Sequence, residues 1–219
     1  MNAAGKARIL LVEDHWMLRE RLAALLNDDP ALSVCGEADN IQTALQLCLT
    51  LKPDMALVDI SLKGSSGLEL IKELRAREID LPILVLSMHE ESLYAERVLA
   101  AGGQGYITKH ENSDALLAAV RTVLSGEVHL SPKMTAGLLK RYSGTKATTA
   151  SLHRLADREL EVFQMIGRGS ATREIADALG LGVTTVDTYR ARIKEKLGIR
   201  STTELQSRAA HWLQENQAA

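Results

Sequence analysis

Glu13, Asp14, Asp59, Ser87 and Lys109 are the residues of this chain best placed to do chemistry, because each closes or directly follows a short apolar run. Those runs are RILLV at 8–12, MALVD at 55–59, PILVL at 82–86 and GYIT at 105–108, and they read as strands. The carboxyl ends of parallel strands share one edge of an open sheet, where ligands bind. Three carboxylates gathered at such an edge repel one another unless a cation stands between them. All-oxygen ligation selects a hard divalent ion such as Mg²⁺. The same ion would neutralise an incoming phosphoryl group, so the Asp59 carboxylate can attack phosphorus in an in-line displacement. Lys109 would then pair with the added oxygens. Ser87 offers a hydroxyl that can be drawn toward the new phosphate, vacating space into which Tyr106 can turn, and this makes a two-state element. Taken singly, a strand-end acid also reads as a helix cap or solvated charge, and Tyr106 as a half-buried strand aromatic. The five together, at consecutive strand ends, point to a site.

A second group of residues is suited to a polyanion. Within 183–200, Arg190, Arg192, Lys194, Lys196 and Arg200 face only Asp187 and Glu195, a local charge of +3. Helical spacing over 183–197 puts Thr184, Asp187, Thr188 and Ala191 on one face, away from Val186, Ile193 and Leu197. Two helices joined by the turn Gly180-Leu181-Gly182 have helix-turn-helix geometry, and the second then presents that face to base edges of double-stranded DNA. Arg190, Arg192, Lys194 and Lys196 flank it, suited to phosphates that fix register. Asp187 could accept from a cytosine amino group or simply be solvated at the rim.

The elements needed to hold these groups follow from periodicity. Residues 1–126 alternate apolar runs with amphipathic stretches, which predicts five βα units: strands at 8–12, 32–37, 55–59, 82–86 and 105–108, and helices near 15–27, 41–50, 67–76, 90–101 and 112–125. That is an α/β domain with a five-stranded, parallel, doubly wound sheet. Ser131 and Pro132 open a short helix over 131–142, and SGTKATTAS after it reads as a linker within 127–151. From 152 to 219 the pattern is all-α, with four helices at 157–167, 172–179, 183–197 and 202–215. Their expected core is Leu160, Val162, Phe163, Ile166, Ile175, Ala176, Leu179, Val186, Ile193 and Leu197. Trp16 and Trp212 are expected to pack at helix edges, and the six histidines lack ligand spacing.

The set Glu13-Asp14, Asp59, Ser87, Gly105-Tyr106 and Lys109 resembles the receiver domain of bacterial response regulators, over residues 8–125. That resemblance implies a flavodoxin-like fold, Asp59 as phosphoacceptor and Ser87 with Tyr106 as the switch. It further implies Mg²⁺ ligated directly by Asp14, Asp59 and the Ser61 carbonyl, with Glu13 acting through water. Lys63 stands where many relatives carry proline, and His89 where phosphoryl lifetime is tuned. Arg158-Glu159, Glu174-Ile175-Ala176, Thr185-Val186 and Lys196-Leu197 resemble the LuxR-type helix-turn-helix. Thr172-Arg173, Gly182, Asp187 and Tyr189 depart from its usual residues. The two together resemble the NarL/FixJ group: two-component transcription regulators phosphorylated by a cognate histidine kinase, with phosphorylation controlling homodimerisation and DNA binding.

Bulk properties restrict the alternatives. The 219 residues, 46% of them hydrophobic, suffice for one large core and one small one. Cys35 and Cys48 both lie in apolar periodic segments, which excludes a disulfide framework or a thiolate metal site and fits a reducing compartment. No apolar run reaches the ~18 residues that span a bilayer, and no leader pattern is visible, so a cytoplasmic protein without a membrane partner is expected. Charge is uneven: residues 1–126 carry 12 Lys+Arg against 18 Asp+Glu, whereas 127–151 carry 4 against 1. Two rival readings are a constitutive DNA-binding protein with a vestigial pocket and a metal-dependent phosphohydrolase. The intact acidic set with Lys109 opposes the first. The second lacks a separate general acid or base, so the chain is not expected to be an enzyme.

Overall fold

The computed structural model describes residues 5–88, 91–142 and 152–217. The chain divides into two compact units, Met1–Ser143 and Gly144–Ala219. The SGTKATTAS stretch and His89 lie outside the described residues.

The first unit is built on a parallel sheet. Its strands are β1 (Ala7–Val12), β2 (Leu32–Ala38), β3 (Met55–Asp59), β6 (Ile83–Ser87) and β7 (Gly105–Thr108), in the order β2-β1-β3-β6-β7. Helices α1 (Trp16–Asp28), α2 (Ile41–Leu51), α3 (Gly67–Ala76), α4 (Glu91–Ala101) and α5 (Ser113–Leu124) connect them. The five expected strands and five expected helices are all present. β3 and β6 are buried at every position, as parallel strands covered on both faces must be. Alternation sends Ile9 and Leu11 into a core with Leu22 and Leu26 of α1 and Val120 and Val123 of α5. Leu10 goes to the other face, where it meets Gly36 together with Leu47 and Leu51 of α2.

Two local features depart from the pattern of the sequence. Ser61–Leu62 (β4) and Ser65–Ser66 (β5) form a small antiparallel hairpin after β3, turned by Lys63 and Gly64, whose φ is 72°. Its sequence, SLKGSS, carries no apolar alternation to announce a strand. Trp16 is not a packing residue: it is 62% exposed. It is the first residue of α1, six positions ahead of the first buried one, Leu22.

A further helix, α6 (Pro132–Tyr142), follows the sheet domain. The second unit holds a 3₁₀ turn (Leu152–Arg154) and helices α7 (Asp157–Gly167), α8 (Thr172–Leu179), α9 (Val183–Leu197) and α10 (Thr202–Gln217). All ten expected core positions are buried, joined by Ile199, Leu205, Ala209 and Leu213. Trp212 packs against Phe163, with ring centroids 6.4 Å apart. The α8–α9 turn follows from Gly180, whose φ is 65°. In that left-handed conformation the Leu181 N–H reaches back to the Ala176 carbonyl at 2.8 Å and stops α8.

Candidate functional site

Strand register assembles the first site. Asp59 pairs with Leu86 across β3 and β6, and Ser87 with Thr108 across β6 and β7, so Asp59, Ser87 and Lys109 fall along one edge. Glu13 and Asp14 follow β1, and the Glu13 N–H donates to the Ala38 carbonyl at 3.0 Å. The Lys109 N–H donates to the Ser87 carbonyl at 2.7 Å, which fixes the Lys109 main chain beside β6.

Oxygens of Glu13, Asp14 and Asp59 lie within 4.8 Å of one another. The Lys109 ammonium donates to Glu13 Oε2 at 2.7 Å and to Asp59 Oδ2 at 2.8 Å. Glu13 and Asp59 are buried. Burial pushes the Asp59 carboxyl up to about 7, against the opposing pull of Lys109 and with a further push from Glu13. Lys109 is raised: burial opposes its charge, but Asp59 and Glu13 more than compensate. With Asp59 ionised, three carboxylates against one ammonium leave two negative charges to be balanced, which one divalent cation does, and the donors are all hard oxygens. The residues present therefore fit such an ion.

Several backbone groups position the acids. The Ser61 N–H donates to Asp59 Oδ1 at 3.1 Å, and the Lys63 N–H to Asp14 Oδ2 at 3.0 Å. Sequence reading missed two residues with the same task. The His15 ring caps α1 by accepting at Nδ1 from the Leu18 N–H, and the His15 backbone N–H donates to Glu13 Oε1 at 3.1 Å. Arg19 donates to the Glu13 carbonyl at 2.6 Å and pairs with Glu37. An Arg three residues into an amphipathic helix looks like solvated charge, so no sequence signal marked it. Ser87 is fully buried, and Tyr106 is 1% exposed. The tyrosine ring is thus already inward, the position sequence reading reserved for the switched state.

The second site is the outward face of α9. Thr184, Asp187, Thr188 and Ala191 are all exposed. At about 100° per residue, Arg192 and Lys194 border this face. Arg190 and Lys196 turn back toward the body of the unit. Arg190 donates to Thr172 Oγ1 of α8 at 3.0 Å, and Lys196 donates to the buried Glu159 of α7 at 2.6 Å. Glu159 also accepts from the Ala156 N–H at 2.7 Å, so one carboxylate caps α7 and anchors α9. Gly182 starts α9 without a side-chain cap.

Residues 9–121 match the family described as Response regulator receiver domain, and residues 153–209 match Bacterial regulatory proteins, luxR family. The chain belongs to the NarL/FixJ family of response regulators. It is 33% identical to response regulator GacA of Pseudomonas aeruginosa over 198 residues, 90% of this chain and 92% of that one. A LuxR-family two-component response regulator from Aurantimonas sp. SI85-9A1 has a similar structure, with 30% identity and a TM-score of 0.59 over 64% of this chain and 99% of that one. RcsB from Salmonella enterica serovar Typhimurium, solved bound to promoter rprA in the presence of phosphomimetic BeF3⁻, shares the fold at 22% identity and a TM-score of 0.62, over 94% of this chain and 99% of that one. The response-regulator pocket and the LuxR-type helices thus lie in separate units of one chain. Among the described residues, no helix is long and apolar enough to cross a membrane.

Proposed function

We propose that this response regulator accepts a phosphoryl group on Asp59 from a cognate histidine kinase, and that phosphorylation controls homodimerisation and the binding of α9 to double-stranded DNA. The observation that carries this reading is the cluster of Glu13, Asp14 and Asp59 oxygens with Lys109 bridged between two of them. Asp59 is the natural acceptor, because it closes the central strand β3 and has acids and the lysine around it. Its carboxylate oxygen forms the bond to phosphorus while the bond from phosphorus to the donor breaks.

Mg²⁺ would be held by Asp14 and Asp59, by Glu13 through water and by the Ser61 carbonyl, and would supply positive charge to the phosphoryl group in transfer. Lys109, released from Asp59, turns to the added oxygens. Ser87 and Tyr106 form the switch, and Thr184, Asp187, Thr188 and Ala191 read bases, with Arg192 and Lys194 on phosphates. Arg190 and Lys196 reach phosphate only by leaving Thr172 and Glu159. On this reading the protein is a cytoplasmic transcription regulator, with no catalysis on a separate substrate. The boundaries it implies are a receiver at 1–126, a linker with a short helix at 127–151 and a DNA-binding domain at 152–219.

Incubation with acetyl phosphate and Mg²⁺, followed by intact-mass measurement, tests it. One added phosphoryl group is expected in the wild type and none in Asp59→Asn. Should Asp59→Asn take up phosphate equally, or bind its operator as the phosphorylated wild type does, the reading fails.

A further inference from the structure

Helix α6 is the last element of the first unit, and its start is built from a distant residue. Ser131 is its cap: Ser131 Oγ accepts from the Met134 N–H at 3.1 Å, and Pro132 in the first turn has no N–H to satisfy. A capping box would place Glu or Gln three residues after the cap, reaching back to the cap's own N–H. Here that position is Met134, and the first turn of α6 holds no acid. Two helices of the second unit supply this group locally: Glu159 accepts from the Ala156 N–H at 2.7 Å and Glu174 from the Ala171 N–H at 2.8 Å.

In α6 the missing carboxylate comes from α4. Glu91 Oε1 accepts from the Ser131 N–H at 2.7 Å, across 40 residues of sequence. It also places negative charge at the positive end of α6. Glu91 is the first residue of α4 and stands four positions after Ser87. The approach to α6 is tied to the other half of the Ser87–Tyr106 pair. The Tyr106 N–H donates to the His129 carbonyl at 3.0 Å, and the His129 N–H to the Gln104 carbonyl at 3.0 Å.

We propose that Glu91 is a positioning residue that holds the N-terminus of α6 from α4, so that phosphorylation at Asp59 loosens α6 by displacing α4. The second half rests on the reading of Asp59 as phosphoacceptor; the first does not. α6 precedes the segment leading to the DNA-binding unit, so its order is the quantity the pocket would control.

Hydrogen exchange on the full chain, read by mass spectrometry, tests both halves. Without phosphodonor, Glu91→Ala is expected to speed exchange of the amides at 131–135 roughly fivefold. Glu91→Gln keeps an acceptor oxygen without the charge and is expected to fall between the two. Wild type carrying one phosphoryl group by intact mass should approach the Glu91→Ala rate at those amides. In Glu91→Ala itself, phosphorylation should add nothing there, while uptake of phosphate is unchanged. Unaltered exchange in unphosphorylated Glu91→Ala overturns the cap. A phosphorylated wild type whose 131–135 amides stay fully protected overturns the coupling. A missing mass gain defeats the Asp59 reading and the coupling with it, whereas the cap is decided by the alanine variant alone.

Discussion

The two units reach function by opposite routes. In the receiver unit the pocket gathers Glu13, Asp14, Asp59, Ser87 and Lys109 from four strand ends, and no two of its ion-paired residues are near in sequence. In the DNA-binding unit most helix ends are set by residues close by in sequence. Glu159 and Glu174 cap α7 and α8 three residues back, and Gly180 and Gly198 end α8 and α9 in the left-handed conformation. Long-range assembly makes the pocket's members depend on one another. Local assembly makes losses at the starts of α7 and α8 small and separate, whereas α9 is anchored from a distance by Glu159 and Thr172. Helix α6 belongs to the first kind, since Glu91 caps it from afar.

The contrast predicts unequal costs. Lys109→Met leaves Glu13 and Asp59 buried without their shared cation, and is expected to destabilise the receiver unit by about 3–5 kcal/mol. Its thermal transition should fall and recover in part with Mg²⁺, while that of the DNA-binding unit stays in place. A transition that does not move would break the idea of mutual dependence.

Proton linkage supplies the next effect. Asp59 is raised from 3.8 to about 7, so between those values the folded chain keeps a proton that the unfolded chain has lost. Stability in the absence of divalent ions should therefore fall as pH rises through that window, by up to about 1.4 kcal/mol per pH unit, and level off above about 7. Saturating Mg²⁺ should flatten the slope. Denaturant titrations at several pH values check the sign, and a rise with pH would contradict it.

Gly67→Ala is a smaller perturbation at a revealing place. An added Cβ would stand 2.3 Å from the Asp59 carbonyl oxygen, a backbone atom with little room to yield. A loss of about 1–3 kcal/mol is expected, together with weaker Mg²⁺ binding measured by calorimetry. Unchanged metal affinity would separate the start of α3 from the pocket. Least costly should be Glu174→Ala, which removes one local hydrogen bond at the exposed start of α8. Roughly 0.5–1 kcal/mol is expected in the DNA-binding unit, with no change in phosphate uptake. A loss as large as that of Lys109→Met would erase the distinction between the two units.

Sequence legibility follows the same division. All ten helix core positions from Leu160 to Leu197 were readable, because a 3.6-residue period states which side of a helix is inside. The strand ends were readable because apolar runs in a parallel sheet stop where the chain turns. The β4–β5 hairpin was not, since Ser61, Leu62, Ser65 and Ser66 carry no alternating pattern. Nor was the exposure of Trp16, or the inward bonding of Arg190 and Lys196, which by composition alone belong with the outward-facing cations of α9.

The residue types and their order therefore determined that the chain has an acidic strand-edge pocket and a basic helix-turn-helix, because apolar periodicity and Gly turns are local properties. Tertiary structure alone decided which charges pair. Whether Lys109 meets Asp59, Glu91 meets Ser131 or Lys196 meets Glu159 depends on distances between elements far apart in the chain, and no period in the sequence encodes them.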